Sequence, residues 1–181
     1  MRRERFTPVL FALALLASAA TAADVPSHVA RALGEARTAG TGRLTWFGLH
    51  VYDARLFVPT AGFDAQRFAE QPFALELTYA RRLNGRAIAE RSEAEIARLG
   101  IGTEAQRARW LQAMRALFPD VDAGQRLAGV HVPGRGTDFY LDGRSLGRVD
   151  DPAFGAAFFA IWLDSRTSAP DLRASLLKQA L

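Results

Sequence analysis

Four polar side chains interrupt a stretch that is otherwise apolar, LTWFGLHVYDARLFVP, at residues 44–59. They are His50, Tyr52, Asp53 and Arg55, which offer an imidazole, a hydroxyl, a carboxylate and a guanidinium. Because successive side chains of a strand point to opposite faces, His50 and Tyr52 share one face while Asp53 and Arg55 share the other. Since both faces are largely apolar, the pattern predicts one strand in the middle of a sheet that packs against helices.

Each of these groups has a structural interpretation beside a functional one. Asp53 and Arg55 are two residues apart on one strand face, which favours an ion pair, although Arg55 is also a candidate anchor for an anionic ligand. His50 lies beside aromatic residues and is typical of a hydrogen-bonded core histidine. Trp46 is expected to line the core or a cleft. No predicted helix carries paired His, Asp or Glu residues at metal-binding spacing, so the sequence indicates no metal site.

One hydrolase motif occurs at residues 143–147, where GRSLG fits the G-x-S-x-G pattern of a serine nucleophile. That motif requires a turn from strand to helix and a histidine later in the chain. Here the stretch begins at Gly143, and Asp142 with Gly143 predicts a hairpin turn between strands. No histidine follows His131 in the chain. The sequence therefore argues against a serine hydrolase.

The first 22 residues have the pattern of a secretory signal peptide. MRRER is a basic n-region, an apolar segment follows, and Ala20, Thr21 and Ala22 fit a small-residue cleavage site. We therefore predict a signal peptide at 1–22, a mature domain at 23–181, and a periplasmic or secreted protein. The apolar run is shorter than the roughly 20 residues that a membrane anchor needs, so no stable membrane insertion is expected after cleavage.

Charge and cysteine content exclude several classes of function. The formal net charge of +4 falls to +2 when the three arginines and one glutamate of residues 1–22 are removed. The mature chain therefore lacks the basic excess typical of nucleic-acid binding. The chain contains no cysteine, which excludes disulfides and thiol catalysis. A domain of this length can bury a core large enough to fold without such cross-links.

The hydrophobic pattern predicts strands, then two helices, then three strands, then two helices. The predicted strands occupy residues 44–59, 73–80, 127–132, 137–141 and 144–149, preceded by a turn at GTG, residues 40–42. The predicted helices occupy residues 84–99, 103–118, about 152–162 and about 170–180, with Asn84, Thr103 and Asp151 at their starts. This order favours an antiparallel α+β fold in which helices are segregated from the sheet.

Six segments spread over the mature chain resemble those of a known family. They are GTG followed by Arg43, VYDARLF, LTYARRLNGRAIAE, ALFPDV, DFYLDGRSLGRVDDPAFGAAFFAIWLD and LRASLL. In this order they resemble the chalcone isomerase-like superfamily, in its bacterial exported branch. The resemblance implies an open-faced antiparallel β-sandwich with helices packed on one side. It also implies a cleft between sheet and helices for a flat or long apolar ligand.

Members of that superfamily either close a chalcone to a flavanone without a cofactor or bind fatty acids. In the isomerases an arginine after the Gly-x-Gly turn holds the developing oxyanion, and Arg43 is the residue here that resembles it. The resemblance places the catalytic threonine at Tyr52, the tyrosine at Ile88 and the helix asparagine at about Glu95. A hydroxyl is thus retained at Tyr52 but not at Ile88, and the ring-closing set is at best half present.

These observations favour binding over catalysis. A fatty acid needs an apolar cleft and one cation, and an arginine can hold its carboxylate with two hydrogen bonds. The expected ligand-binding residues are Arg43, Tyr52, His50, Arg55 and Trp46, of which Arg43, Tyr52 and His50 are expected to face the ligand while Asp53 and Arg55 neutralise each other. The expected ligand is a fatty acid or similar apolar carboxylate, and no cofactor is expected. The alternatives are a cofactor-free isomerase of the chalcone–flavanone type and a partner surface in the cell envelope.

Overall fold

Six strands form one antiparallel sheet, in sequential order, in the computed structural model, which describes residues 25–180. The strands are β1 Ala36–Trp46, β2 Leu49–Pro59, β3 Phe73–Tyr79, β4 Arg126–Val132, β5 Gly136–Leu141 and β6 Arg144–Val149. The helices are α1 Ser27–Leu33, α2 Gly85–Arg98, α3 Glu104–Leu117, α4 Pro152–Leu163 and α5 Pro170–Leu176, with a short 3₁₀ helix at Ala65–Glu70. The predicted signal peptide at 1–22 lies outside the described residues.

The long helices begin where the sequence places capping residues. The Asn84 side chain accepts a hydrogen bond from the backbone of Ala87 at the start of α2. Thr103 and Gln106 form a reciprocal capping box at the start of α3, and the Asp151 side chain caps α4. Each cap satisfies backbone N–H groups that have no partner within the helix, so the caps fix these starts locally.

The stretch at 44–59 is a hairpin and not the single central strand that its apolar pattern predicts. Trp46 pairs with Leu49, so Phe47 and Gly48 form a two-residue turn between β1 and β2. Both turn residues have positive φ, 47° at Phe47 and 76° at Gly48. The prediction was wrong because an aromatic residue stands where such turns usually carry Asn or Gly, which hides the turn in a run of apolar residues.

The predicted turn at GTG is also wrong, because residues 40–42 lie within β1. Gly40 is packed against the backbone carbonyl of Ser175 in α5, which leaves no room for a Cβ atom. A Cβ on Gly42 would lie 2.6 Å from Cδ1 of Leu172. These glycines let α5 approach β1 closely, and close approach of a neighbouring backbone is a second use of glycine in strands.

Helices α2 to α5 pack along one face of the sheet, and α1 covers part of the other. On the helix face, Leu56 and Phe73 belong to the main core, where the ring centroids of Phe73 and Phe159 are 4.7 Å apart. On the opposite face, Val29 of α1 packs against Phe57 in a smaller cluster. The predicted open-faced antiparallel α+β sandwich is therefore confirmed.

Helix α4 is the central helix of the helical layer. Its residues from Phe154 to Leu163 are buried except Ala156, so it is apolar on every side. A helix can be apolar all round when protein surrounds it, as the sheet and the neighbouring helices do here. Within residues 25–180, no helix is long and apolar enough to cross a membrane.

Candidate functional site

A cleft of about 720 Å³ opens between strands β1–β3 and helices α2, α4 and α5. Apolar side chains from both layers make most of its wall. Those from the sheet include Leu44, Val51 and Leu77, and those from the helices include Ile88, Ile161 and Leu172. The volume lies within the roughly 300–1,000 Å³ of small-molecule sites, and such sites are mostly apolar with a few polar groups.

Two tyrosines of the sheet lie in this cleft. Tyr52 of β2 and Tyr79 of β3 are direct neighbours across the sheet, with their rings edge to face at 6.0 Å. The Tyr52 hydroxyl accepts a hydrogen bond of 2.9 Å from Nε1 of Trp162 in α4. Burial raises the pKa of Tyr52 to about 12, so its phenol stays protonated at neutral pH.

The Tyr52 hydroxyl can donate as well as accept. Since Trp162 supplies the bond that the oxygen accepts, the hydroxyl hydrogen remains available, and it has no acceptor among the residues that the structure describes. The nearby Glu95 carboxylate also contributes to the raised pKa of Tyr52. A ligand oxygen that entered the cleft would therefore meet a neutral O–H donor.

A carboxylate with two arginines lies on the helical side of the cleft. Glu95 of α2 is buried, and its side chain accepts hydrogen bonds from Nη2 of Arg91 and from Nε of Arg98, the latter at 2.8 Å. Burial raises the pKa of Glu95, but the hydrogen bonds from Arg98 and Ser168 and the charge of Arg91 outweigh burial and lower it overall. Glu95 therefore has two guanidinium partners, of which only Arg91 lines the cleft, and Asp171 of α5 lines it as well.

Arg91 is the member of that group placed at the opening. Its side chain is 58% exposed, and its guanidinium carbon lies 5.1 Å from the ring centre of Trp46. Arg81 and Arg82, which follow β3, border the same cleft. Arg82 lies 4.0 Å from Asp120 and 3.8 Å from Asp122, whereas Arg81 has no acidic side chain within 4.0 Å in the described part of the chain. The opening is therefore rimmed by arginines.

Only some of the residues that the sequence predicted to bind a ligand line the cleft. Trp46 and Tyr52 line the cleft, and their contact with a ligand remains a prediction. Arg43 borders the cleft, but its guanidinium makes two hydrogen bonds to Asp53, of 2.8 and 3.4 Å. In the register, Arg43 lies opposite Asp53 and Leu44 lies opposite Tyr52, so the side chains of Arg43 and Tyr52 point to opposite faces. The two side chains therefore leave the sheet on opposite faces, and contact of Arg43 with a ligand remains a prediction.

The predicted pairing of Asp53 with Arg55 was wrong. Asp53 pairs with Arg43, and Oδ1 of Asp53 lies 3.2 Å from Nε2 of His50. The hydrogen bond from Arg43 lowers the pKa of Asp53. Arg55 lies opposite Glu76 in the neighbouring strand, and its guanidinium carbon is 5.4 Å from the ring centre of Phe57. Neither His50 nor Arg55 is among the residues that line the cleft.

Sequence reasoning missed Arg91. Ile88 and Glu95, which the family resemblance places at functional positions, do both line the cleft. They are seven residues apart in α2, with Ser92 between them on the same helix face, and Arg91 lies three residues after Ile88. Since residues three and four apart share a helix face, this spacing could have identified Arg91.

The remaining motifs form no further site in the described residues. The GRSLG stretch at 143–147 lies at the β5–β6 hairpin, where Asp142 and Gly143 have φ of 48° and 81°. That is a turn between strands and not the strand-to-helix turn of a serine nucleophile. Within residues 25–180, no three His, Cys, Asp or Glu side chains are grouped to hold a metal ion.

The chain is similar to a protein family, to a bacterial protein and to a solved structure. The family model described as chalcone isomerase-like matches residues 35–178. An uncharacterized protein of Haemophilus influenzae is 31% identical over 140 residues, which span 76% of this chain and 66% of that protein. The crystal structure of a fatty-acid binding protein of Arabidopsis thaliana has a TM-score of 0.65 at 15% identity, covering 81% of this chain and 89% of that chain.

Proposed function

The chain belongs to the chalcone isomerase-like family, and from that premise we propose that it binds a fatty acid or a similar apolar carboxylate in the cleft between sheet and helices. The observation that carries the proposal is the combination of a largely apolar cleft of about 720 Å³ with arginines at its opening. The likeness to a plant fatty-acid binding protein supports a fold that can enclose such a ligand.

The alkyl chain would occupy the apolar wall, and Arg91 would hold the carboxylate. Arg91 can turn towards a ligand because Glu95 keeps its bond to Arg98 and its hydrogen bond with Ser168. A guanidinium binds a carboxylate with two parallel hydrogen bonds, which fixes the head of the ligand. The free hydroxyl hydrogen of Tyr52 supplies a second donor within the cleft.

Arg91 replaces Arg43 as the proposed anchor. Arg43 is committed to Asp53 on the opposite face of the sheet, so a ligand in the cleft would have to break that pair to reach it. Arg91 extends from the helical wall of the cleft itself. The sequence predicted that a residue of a strand, Arg43, holds the carboxylate. We propose that a residue of helix α2, Arg91, holds it instead.

We also retain the proposal that the protein is exported to the periplasm or secreted. It rests on the n-region, the apolar segment and the small-residue site of residues 1–22. Mass analysis of the mature protein is expected to give Ala23 as its first residue. Recovery of a chain that retains Met1 would contradict export by cleavage.

A second candidate function is a cofactor-free isomerase of the chalcone–flavanone type. The protonated phenol of Tyr52, oriented by Trp162, favours it because a buried O–H donor can stabilise a developing oxyanion. Ile88 lines the cleft without a hydroxyl, so a donor expected of the isomerases is missing. Saturable conversion of a 2'-hydroxychalcone, lost in Tyr52→Phe, would place this candidate above binding.

Calorimetric titration tests the binding proposal. Delipidated protein is expected to bind a long-chain fatty acid with one site and to bind the alcohol of equal chain length more weakly. Ile88→Trp, which adds volume inside the cleft, is expected to abolish binding. Ala94→Trp is the matched control, since Ala94 is an exposed residue of α2 outside the cleft. Equal loss of binding in both variants, or no binding by the wild type, would contradict the proposal.

A further inference from the structure

The turn between β1 and β2 exposes three large apolar side chains together. We call residues 46–49 the hairpin tip. Trp46 is 52% exposed, Phe47 is 90% exposed and Leu49 is 55% exposed, and no other large apolar side chain of the described residues is exposed to this degree. Single exposed apolar residues are ordinary, but a contiguous group marks a surface for a partner or a membrane.

The stability of the turn does not explain why residue 47 is a phenylalanine. Its φ of 47° lies in the left-handed region, which disfavours bulky side chains and which Asn, Asp or Gly usually occupies in such turns. A ring that is 90% exposed also gains little from packing on its own chain. Neither the backbone conformation nor the core therefore explains an aromatic residue at this position.

Arginines outnumber acidic residues in the lining of the cleft beside the hairpin tip, where Glu95 and Asp171 are the acidic ones. The guanidinium of Arg91 lies against the Trp46 ring at 5.1 Å. Trp46 and Leu49 border the same cleft opening as Arg81 and Arg82, and Arg81 has no acidic side chain within 4.0 Å among the described residues. The exposed rings and the arginines thus occupy one end of the molecule, around the opening of the cleft.

We propose that the hairpin tip docks into the surface of an anionic phospholipid bilayer. Trp46, Phe47 and Leu49 would enter the interfacial region, where aromatic side chains partition favourably. Arg81 would meet the phosphates of the headgroups, and each basic residue near an anionic surface adds to binding. Apolar side chains beside basic ones are the combination that holds peripheral proteins on membranes.

The surrounding charge favours a bilayer over a second copy of this chain. A symmetric contact between two hairpin tips would bring the same surface of both copies together, arginines included. The repulsion between these like charges would oppose that contact, whereas anionic headgroups would neutralise them.

This inference goes beyond the proposed function, because docking of the hairpin tip does not require that the cleft hold a fatty acid. If both hold, the opening of the cleft faces the bilayer, and an apolar acid could pass between membrane and cleft with little exposure to water. Because neither requires the other, membrane docking and fatty-acid binding can be tested separately.

Vesicle flotation tests the inference with the mature protein and two vesicle compositions. The wild type is expected to float with vesicles that contain phosphatidylglycerol and phosphatidylcholine, and only weakly with phosphatidylcholine alone. Phe47→Ser is expected to lower the partition coefficient at least tenfold, whereas Phe47→Trp retains it. Arg81→Ala is expected to lower it about fivefold, the equivalent of about 1 kcal/mol for one basic residue at an anionic surface.

Arg135→Ala is the matched control for Arg81→Ala. Arg135 is an exposed residue of the β4–β5 turn, at the opposite end of the sheet from the hairpin tip, and its loss is expected to leave flotation unchanged. Tryptophan quenching gives a second readout, because Trp46 is exposed while Trp110 and Trp162 are only 2% and 6% exposed. Anionic vesicles are expected to protect Trp46 from a soluble quencher.

Several results would overturn the inference. Wild-type protein that does not float with anionic vesicles, or a Phe47→Ser variant that floats as the wild type does, removes the membrane role. A concentration-dependent dimer that Phe47→Ser abolishes would assign the hairpin tip to a second copy instead. Ile88→Trp, which is designed to abolish fatty-acid binding, is expected to float normally, so failure of one proposal is distinguishable from failure of the other.

Discussion

Arg91→Ala is expected to weaken fatty-acid binding without unfolding the protein. The Arg91 side chain is 58% exposed, and the buried Glu95 carboxylate that it contacts keeps a 2.8 Å hydrogen bond from Arg98. Loss of a half-exposed ion pair costs about 0–1 kcal/mol of the free energy of unfolding. Loss of a hydrogen bond to a charged ligand group costs about 1.5–3 kcal/mol, which corresponds to a roughly 10- to 150-fold rise in Kd.

Arg86→Ala is the control for this substitution. Arg86 lies in the same helix, and it contacts Glu90 one turn later at 3.0 Å, as Arg91 contacts Glu95. Its side chain is 71% exposed and it does not line the cleft. Arg86→Ala is therefore expected to leave the Kd for a fatty acid unchanged while removing the same charge from the same helix.

Calorimetry with two ligands decides whether Arg91 recognises a carboxylate. Arg91→Ala is expected to weaken binding of the fatty acid but to change the Kd of the alcohol of equal chain length by less than about threefold. Equal losses for acid and alcohol would mean that Arg91 only shapes the cleft. Equal losses in Arg91→Ala and Arg86→Ala would refute the assignment of Arg91 as anchor.

Three further predictions concern stability. Gly40→Ala is expected to lower the free energy of unfolding by about 1–3 kcal/mol in urea melts, because its Cβ would overlap the carbonyl of Ser175; an unchanged melt would show that α5 can move away. Trp162→Phe removes the donor to the buried Tyr52 hydroxyl and is expected to cost about 1–3 kcal/mol, which the same melts measure. Burial lowers the pKa of His131 below its usual 6.5, so the unfolded chain takes up the proton first. Stability should therefore fall as pH drops below 6.5, by up to about 1.4 kcal/mol per pH unit for this group, and His131→Gln should reduce that slope in melts at pH 7.5 and 5.5.

Local signals in the sequence were enough to predict most of the helices and strands. Asn84 marks the start of α2, the capping box at Thr103 marks the start of α3, and the change from period 2 to helical spacing separates β3 from α2. The β5–β6 hairpin was predictable because Asp142 and Gly143 are typical turn residues. In each case residues within one helical turn or one hairpin decide the structure.

The missed β1–β2 turn was a local error, at Phe47 and Gly48, but the other errors arose where packing between elements or the register of strands decides the structure. A glycine in a turn and a glycine under a helix look alike in sequence, and only the packing of α5, more than 130 residues later, shows that Gly40 is the second kind. The partner of Asp53 depends on the register between β1 and β2, which places Arg43 opposite it. Because Arg43 is held in that pair, we propose a cation from another element, Arg91, as the anchor.

The proposed site also depends on which face each side chain occupies. A shift of one residue along a strand reverses the face, and the register of β1 and β2 does shift between Leu44 and Thr45. The sequence alone could not place that irregularity. Helical spacing is more tolerant of such errors: Ile88 and Glu95 line the cleft, whereas Arg43 borders it but pairs with Asp53.

Native mass spectrometry of the purified mature protein tests most directly whether the cleft holds an apolar acid. Wild-type protein is expected to carry a single adduct with the mass of a long-chain fatty acid, and organic extraction should release that acid. Ala94→Trp is expected to keep the adduct, and Ile88→Trp, with an indole ring projecting into the cleft, is expected to lose it. A protein that stays free of adduct when fatty acid is supplied in excess, or an Ile88→Trp variant that keeps the adduct, would contradict binding in this cleft.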